Sequence, residues 1–179
     1  MEPRVAVVVF PPAEAAAPAE SFRRLHDPLF HKIAAHVAVV PAFSWCTEAR
    51  AVPRILEAIR GSERAPFPLT LRGVGRTKTG VVYLPVVEGQ EALAALHEIL
   101  SWALRPPPGI ERPPFVPVLG LGRAAGEAEA EFLQRQVAGH LAPIRFSVEV
   151  LTVVLEDARG LWHVRERLPL EAATVPPGG

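Results

Sequence analysis

The sequence predicts an α+β fold, in which helices pack against a sheet built largely from antiparallel strands. Short β-branched runs such as Val5 to Phe10 are typical of buried strands. They alternate with longer segments in which apolar residues recur every three or four positions, as in an amphipathic helix. Two of the strands, residues 67–72 and 80–87, are joined by a glycine-containing connection that indicates a hairpin. Hairpin connections favour an α+β sheet over a regular βαβ repeat.

The individual elements follow from the same patterns. The predicted strands are residues 5–10, 36–40, 67–72, 80–87, 115–121, 146–155 and 161–168. The predicted helices are residues 19–33, 52–60, 93–104 and 127–141. Pro28 is expected to kink or divide the first helix, and Gly61 stands where a cap of the second belongs. Acidic residues from Glu127 onwards complement the positive end of the last helix and mark its start.

Composition excludes several classes of protein. The 19 basic residues balance 19 acidic ones, which argues against a generally basic polyanion-binding protein but leaves room for a local basic patch. The single cysteine, Cys46, cannot form a disulfide within the chain and suits a reducing cytoplasm. No Cys/His cluster has zinc-ligand spacing, so no metal is expected. No apolar run approaches the length of a membrane span or a signal peptide, so we expect a cytoplasmic protein without a membrane partner.

Two glycine clusters are candidates for phosphate binding. Residues 73–78 have a lysine, Lys78, where a dinucleotide fingerprint needs its third glycine, and they lead into a strand, so a hairpin turn is the better interpretation. Residues 120–126 lie between a strand and a helix, but the third glycine comes one position late. Free amides at that helix start, together with Arg123, leave an anion site open.

Six histidines are scattered along the chain, and only His36 has a distinctive position. It opens an apolar strand directly after a helix, so its ring faces either solvent or a cleft between packed layers. His36, Ala38 and Val40 share one face of that strand by its two-residue period. The two aspartates, Asp27 and Asp157, have no nucleophile-elbow or metal-loop context, so no Ser-His-Asp triad is predicted.

Several segments together resemble the 2H phosphoesterase superfamily, and its 2'-5' RNA ligase-like members in particular. The opening of the chain matches through Phe22-Arg23-Arg24-Leu25-His26-Asp27-Pro28 and His36-Val37-Ala38-Val39. The central hairpin matches through residues 67–73 and 81–86, and the closing strand through residues 162–170. The second motif region matches through Phe115-Val116-Pro117-Val118-Leu119-Gly120-Leu121-Gly122-Arg123. The resemblance covers nearly the whole chain, mostly by the order and pattern of its segments.

The resemblance implies a bilobal fold in which an antiparallel sheet from each of two pseudo-symmetric lobes lines a central cleft, with helices outside. Each lobe of the family carries one His-x-Thr/Ser tripeptide facing the cleft. Here His36 keeps the first histidine, but Ala38 replaces the first hydroxyl residue, and Val118 and Gly120 replace the second histidine and hydroxyl residue. Three of the four motif positions are therefore substituted.

The function implied by the resemblance is that of a diverged 2'-5' RNA ligase or 2',3'-cyclic phosphodiesterase with little or no catalysis. Residues 1–179 are expected to form one such domain, with residues 175–179 disordered. Its ligands would be RNA termini or nucleotides, bound by a basic rim of Arg123, Arg76 and Lys78, without a cofactor or metal. His36 would be the surviving catalytic histidine. Two alternatives stay open: an active RNA phosphodiesterase or ligase that recruits other residues, such as His31, His163 or Arg123, and a non-catalytic structural or partner-binding module.

Overall fold

The computed structural model of the protein describes residues 4–62, 64–110 and 114–172. These residues form nine strands and four helices. The strands are β1 Val5–Val9, β2 Val37–Phe43, β3 Phe67–Leu71, β4 Gly75–Arg76, β5 Val81–Glu88, β6 Val118–Arg123, β7 Ile144–Val148, β8 Val150–Glu156 and β9 Trp162–Pro169. The helices are α1 Ala13–His26, α2 Glu48–Arg60, α3 Gln90–Leu104 and α4 Glu127–Ala138. The predicted disorder of residues 175–179 lies outside the described residues.

All strand pairs are antiparallel, and the strands form one sheet in the order β7-β3-β5-β6-β2-β1-β8-β9, with β4 pairing with β5. The sheet divides into two four-strand halves, β7-β3-β5-β6 and β2-β1-β8-β9. The two halves meet at the pairing of β2 with β6, where Val37 lies opposite Leu119. Helices and an antiparallel sheet in this arrangement confirm the predicted α+β, 2H-like fold class.

Helices cover one face of the sheet, here called the helix face. Helix α1 connects β1 to β2 but packs against β6 of the other half. Reciprocally, α3 connects β5 to β6 and packs against β2. Strand β1 illustrates why the sheet has two distinct faces: Val7 and Val9 join the main core on the helix face, whereas Ala6 and Val8 pack with Ile33 on the opposite face. We call that opposite face the open face. It carries the candidate site.

The first helix differs from the prediction, because it spans Ala13–His26 and does not continue to Ile33. It ends before Asp27, because Pro28 sterically disfavours helical backbone geometry at the residue that precedes it. The apolar spacing of Leu29 and Ile33 has another cause: both lie in loop 27–36 and line a small cavity on the open face.

Two further differences from the predicted strands affect the course of the sheet. The predicted strand 115–121 begins at Val118, after Pro117, and the predicted strand 146–155 is two strands separated by Glu149. Strand β7 pairs with β3 at one end of the sheet, while β8 pairs with β1 in the other half. The sheet must therefore curl until its two ends approach each other, because only one residue connects β7 to β8.

Candidate functional site

The junction of β2 and β6 brings the two tripeptide positions together on the open face. Val37 pairs with Leu119, and both side chains are fully buried on the helix face. Continuing this antiparallel register by one residue in each direction places His36 opposite Gly120 and Ala38 opposite Val118. Each of the four is the strand neighbour of Val37 or Leu119. Because successive residues of a strand face opposite sides of the sheet, all four face the open side.

Strand β5 extends this arrangement on the other side of β6. Tyr83 pairs with Gly120, and Pro85 pairs with Val118. The floor of the cleft therefore has two rows across three strands. A polar row consists of His36, Gly120 and Tyr83, and an apolar row consists of Ala38, Val118 and Pro85.

His36 is the one imidazole in the polar row. Its Nδ1–H donates to the carbonyl oxygen of Ala34 at 2.8 Å, and its ring meets Phe10 edge-on at a centroid distance of 6.1 Å. Since Nδ1 carries the proton, Nε2 of the neutral ring is a hydrogen-bond acceptor. Burial lowers the pKa of His36 below its ordinary value of 6.5. The ring is thus held in the form that acts as a base.

The loop before His36 is held by a buried arginine of α1. Arg23 is 2% exposed, and its guanidinium donates to Asp27 at 2.7 Å, to Glu20 at 2.9 Å and to the carbonyl of Ile33 at 2.9 Å. Glu20 in turn accepts a hydrogen bond from the amide of Ala35. The residue next to His36 is therefore attached directly to this ionic network.

A β-bulge brings Arg123 to the open face. Tyr83 pairs with Gly120, but Val82 pairs with Gly122, so Leu121 is an extra residue in β6. Gly122 consequently faces α1, where an added Cβ would lie 3.0 Å from His26. Arg123 then returns to the same face as Gly120, and its side chain is exposed.

The other predicted rim residues lie elsewhere on the hairpin. Arg76 pairs in register with Val82, and its guanidinium contacts Glu127 of α4 at 2.9 Å. Val82 packs against Leu133 of α4 on the helix face. Lys78 is exposed in the turn between β4 and β5. Their assignment as ligand-binding residues stays a prediction, but the structure does not place Arg76 beside the polar row.

The alternative histidines are also apart from the cleft floor. His31 is exposed and packs edge-on against Phe30. Nε2 of His163 is hydrogen-bonded to a carboxylate oxygen of Asp157 at 3.0 Å. The preceding residue, Trp162, packs on the open face. Since neighbouring residues of a strand face opposite sides, His163 points to the other side of β9. Among the described residues, no group of three or more His, Cys, Asp or Glu side chains is arranged to hold a metal ion.

A cavity of about 460 Å³ lies beside the apolar row, between α3, the end of β2 and the segment before β6. Its lining residues are Ala38, Val40, Pro41, Ala42, Trp45, His97, Ser101, Leu104, Pro106, Ile110, Pro114, Phe115, Val116 and Val118. Neither His97 nor Ser101 was predicted from the sequence as a site residue. Their spacing of four residues puts them on one face of α3, but only the packing of α3 against β2 shows that this face lines a cavity.

The curled antiparallel sheet, with its two facing tripeptide positions, has the fold of the 2H phosphoesterase superfamily. A family model for the 2'-5' RNA ligase superfamily matches residues 11–160. The chain belongs to this superfamily. No curated protein sequence matches it.

Solved structures show the same fold at low sequence identity. E. coli LigT complexed with 3'-AMP is 24% identical with a TM-score of 0.69, and the match covers 94% of this chain and 99% of LigT. E. coli LigT complexed with ATP is 21% identical with a TM-score of 0.67, covering 95% of this chain and 99% of LigT. Usb1 of Kluyveromyces marxianus with uridine monophosphate is 17% identical with a TM-score of 0.56, covering 94% and 99% respectively.

No helix in the described part of the chain is long and apolar enough to cross a membrane.

Proposed function

We propose that the cleft binds a phosphate-bearing ligand, an RNA terminus or a nucleotide, and catalyses little or no phosphodiester hydrolysis or transfer. The observation that supports this most is the composition of the two facing tripeptides. Only His36 carries a group that transfers protons, since Ala38, Val118 and Gly120 hold neither an imidazole nor a hydroxyl. A cytoplasmic location and a single bilobal domain over residues 1–179 belong to the same proposal.

The loss of catalysis follows from the chemistry that such a reaction needs. Cleavage of a 2',3'-cyclic phosphate requires a base for the attacking oxygen and an acid for the leaving oxygen. One imidazole cannot do both in the same concerted step. Each missing proton-transfer group costs about 10²–10⁴ in rate, and the absent hydroxyls remove donors that would hold the phosphate oxygens.

Phosphate binding is supported by donors that remain on the open face. The Arg123 guanidinium provides several hydrogen-bond donors, and arginine is well suited to bind phosphate oxygens. Nε2 of the neutral His36 ring can accept a hydrogen bond from a ribose hydroxyl or a protonated phosphate oxygen. The complexes of LigT with 3'-AMP and ATP, and of Usb1 with uridine monophosphate, agree with nucleotide binding in this fold.

Binding is tested by titrating short RNAs that end in a 2',3'-cyclic phosphate or a 3'-phosphate at two salt concentrations. We expect weak, salt-sensitive binding that Arg123→Gln reduces at least threefold. Arg24→Gln is the matched control, because Arg24 is also exposed but lies on α1 at the helix face. Binding that is absent at millimolar ligand, or that falls equally in both variants, would leave the partner-binding or structural module as the function.

Turnover is tested by rebuilding the motifs. We expect no detectable hydrolysis of 2',3'-cyclic phosphates by the natural protein, and measurable hydrolysis after Ala38→Thr, Val118→His and Gly120→Thr together. A threonine fits at position 120, because no atom lies within 4 Å of an added Cβ. Adding His36→Ala should then abolish the activity.

Robust activity in the natural protein that His36→Ala leaves unchanged would contradict this function. Loss of that activity in His31→Ala or His163→Ala would support the alternative of an enzyme that uses other residues.

A further inference from the structure

The 460 Å³ cavity beside the apolar row differs in character from the polar row. Cavities of this size hold small molecules. Among the described residues, those that line it include no lysine, arginine, aspartate or glutamate. Its walls are mostly aliphatic and aromatic, and two of its residues, Ala38 and Val118, are the substituted motif positions. A phosphate buried here would have no counter-charge from the described lining residues, which therefore favour an uncharged ligand.

Three polar side chains interrupt the apolar lining. Trp45 has a buried Nε1–H with no hydrogen-bond partner among the described residues, and the other two, His97 and Ser101, lie on α3. His97 Nδ1–H donates to the carbonyl of Val39 at 2.7 Å, which fixes the ring and leaves Nε2 as an acceptor in the neutral form. Nε2 faces the Ser101 hydroxyl at 3.4 Å, a distance too long for a strong hydrogen bond. The Phe115 ring stacks on His97 with centroids 4.2 Å apart and an interplanar angle of 11°. Nε2 of His97 is thus held in a fixed position, and its nearest donor in the protein, the Ser101 hydroxyl, makes at most a weak hydrogen bond with it.

We propose that this cavity binds a small, uncharged, aromatic-bodied molecule that donates one hydrogen bond to Nε2 of His97. The apolar body packs against the rings and aliphatic side chains of the walls, and the donor satisfies the one well-placed acceptor. The site is separate from the phosphate site of the polar row, although the two adjoin at Ala38 and Val118.

The probes are N-phenyl-1-naphthylamine, an uncharged fluorophore with one N–H donor, and its charged analogue 1-anilinonaphthalene-8-sulfonate. We expect saturable binding of the amine at one site per chain, detected by enhanced fluorescence. The sulfonate should bind at least tenfold more weakly, because its charge has no partner among the described residues that line the cavity. Equal or tighter binding of the sulfonate would overturn the proposal.

Variants locate the site. Val118→Glu places a carboxylate in the wall, and Ala42→Trp fills the cavity from an exposed position; each should weaken binding of the amine at least tenfold. The second variant keeps the test valid if the first does not fold. Trp102→Ala is the control: Trp102 is 72% exposed beside Ser101 on α3 but does not line this cavity, so its removal should leave binding unchanged.

His97→Phe tests the hydrogen bond, since it keeps a ring stacked on Phe115 and removes the acceptor. We expect at least threefold weaker binding of the amine, with no loss for 1-phenylnaphthalene, which has no donor and is measured by competition. Unchanged binding of the amine would refute the role of His97. Binding that Trp102→Ala abolishes, and that both cavity variants leave intact, would overturn the site itself. Neither outcome bears on RNA binding by the polar row, which is measured separately.

Discussion

Replacing the buried arginine of α1 should destabilise the protein strongly. Arg23→Met keeps much of the apolar stem but removes the guanidinium, which is hydrogen-bonded to Glu20, Asp27 and the carbonyl of Ile33. Two carboxylates and a buried carbonyl then lose their shared donor. The side chain of Asp27 is 11% exposed, whereas that of Glu20 is 26% exposed and recovers part of its hydration.

The magnitude follows from these exposures. Breaking a buried ion pair costs about 3–5 kcal/mol, and partial solvation of Glu20 favours the lower end. We therefore expect the free energy of unfolding to fall by about 3 kcal/mol. For a chain of this size, that corresponds to a decrease in Tm of about 6–12 °C.

The assay is equilibrium urea unfolding and thermal unfolding followed by far-UV circular dichroism. Arg24→Met is the control, because Arg24 is exposed on the same helix and its replacement should change stability by less than about 0.5 kcal/mol. Adding Glu20→Gln and Asp27→Asn to Arg23→Met should recover part of the loss, since the unpaired charges are removed. A loss below about 1 kcal/mol in Arg23→Met would refute the view that this network anchors loop 27–36.

Two further predictions concern pH. Burial lowers the pKa of His36 below 6.5, so as the pH falls the unfolded chain binds a proton at this residue before the folded chain does. The free energy of unfolding should therefore decrease as the pH falls below about 6.5. Replacing the imidazole in His36→Gln should make urea-unfolding curves less sensitive to pH in that range. The pKa of Asp157 is lowered from 3.8 to about 2 by the hydrogen bond from His163 and by the amides of Leu161 and Arg159. Its stabilisation is therefore present above pH 4 and lost as the pH falls towards 2, so Asp157→Asn should be less stable than the natural protein at pH 5 and equally stable near pH 2, as measured by thermal unfolding.

The elements that the sequence predicted best are those in which burial is visible locally. All five residues of β1 are buried, and an uninterrupted β-branched run is the pattern of a strand covered on both faces. The shared face of His36 and Ala38 also followed from the two-residue period. The prediction that Val40 shares this face was wrong, because a bulge at Val39 shifts the register of β2 against β1 and Val40 joins the main core.

The features that local patterns missed depend on packing between distant segments. The bulge at Leu121 turns Arg123 to the open face, and it is visible only in the pairing of β6 with β5. The cavity near His97 exists because α3 crosses to β2 of the other half. Nothing in residues 90–104 alone indicates that partner, since helical periodicity gives the buried face but not the element it covers.

The pairing of β1 with β8 has a consequence for synthesis of the protein. Val5 lies opposite Leu155, so a strand made early waits for a partner about 150 residues further along the chain. At ordinary translation rates that wait is roughly 10–30 s. Throughout it, one edge of an entirely apolar strand has unpaired backbone groups, which is the kind of edge that templates association with other chains. The nascent protein therefore needs either protection by a chaperone or rapid burial of β1 by β2 and α1 until its last strands leave the ribosome.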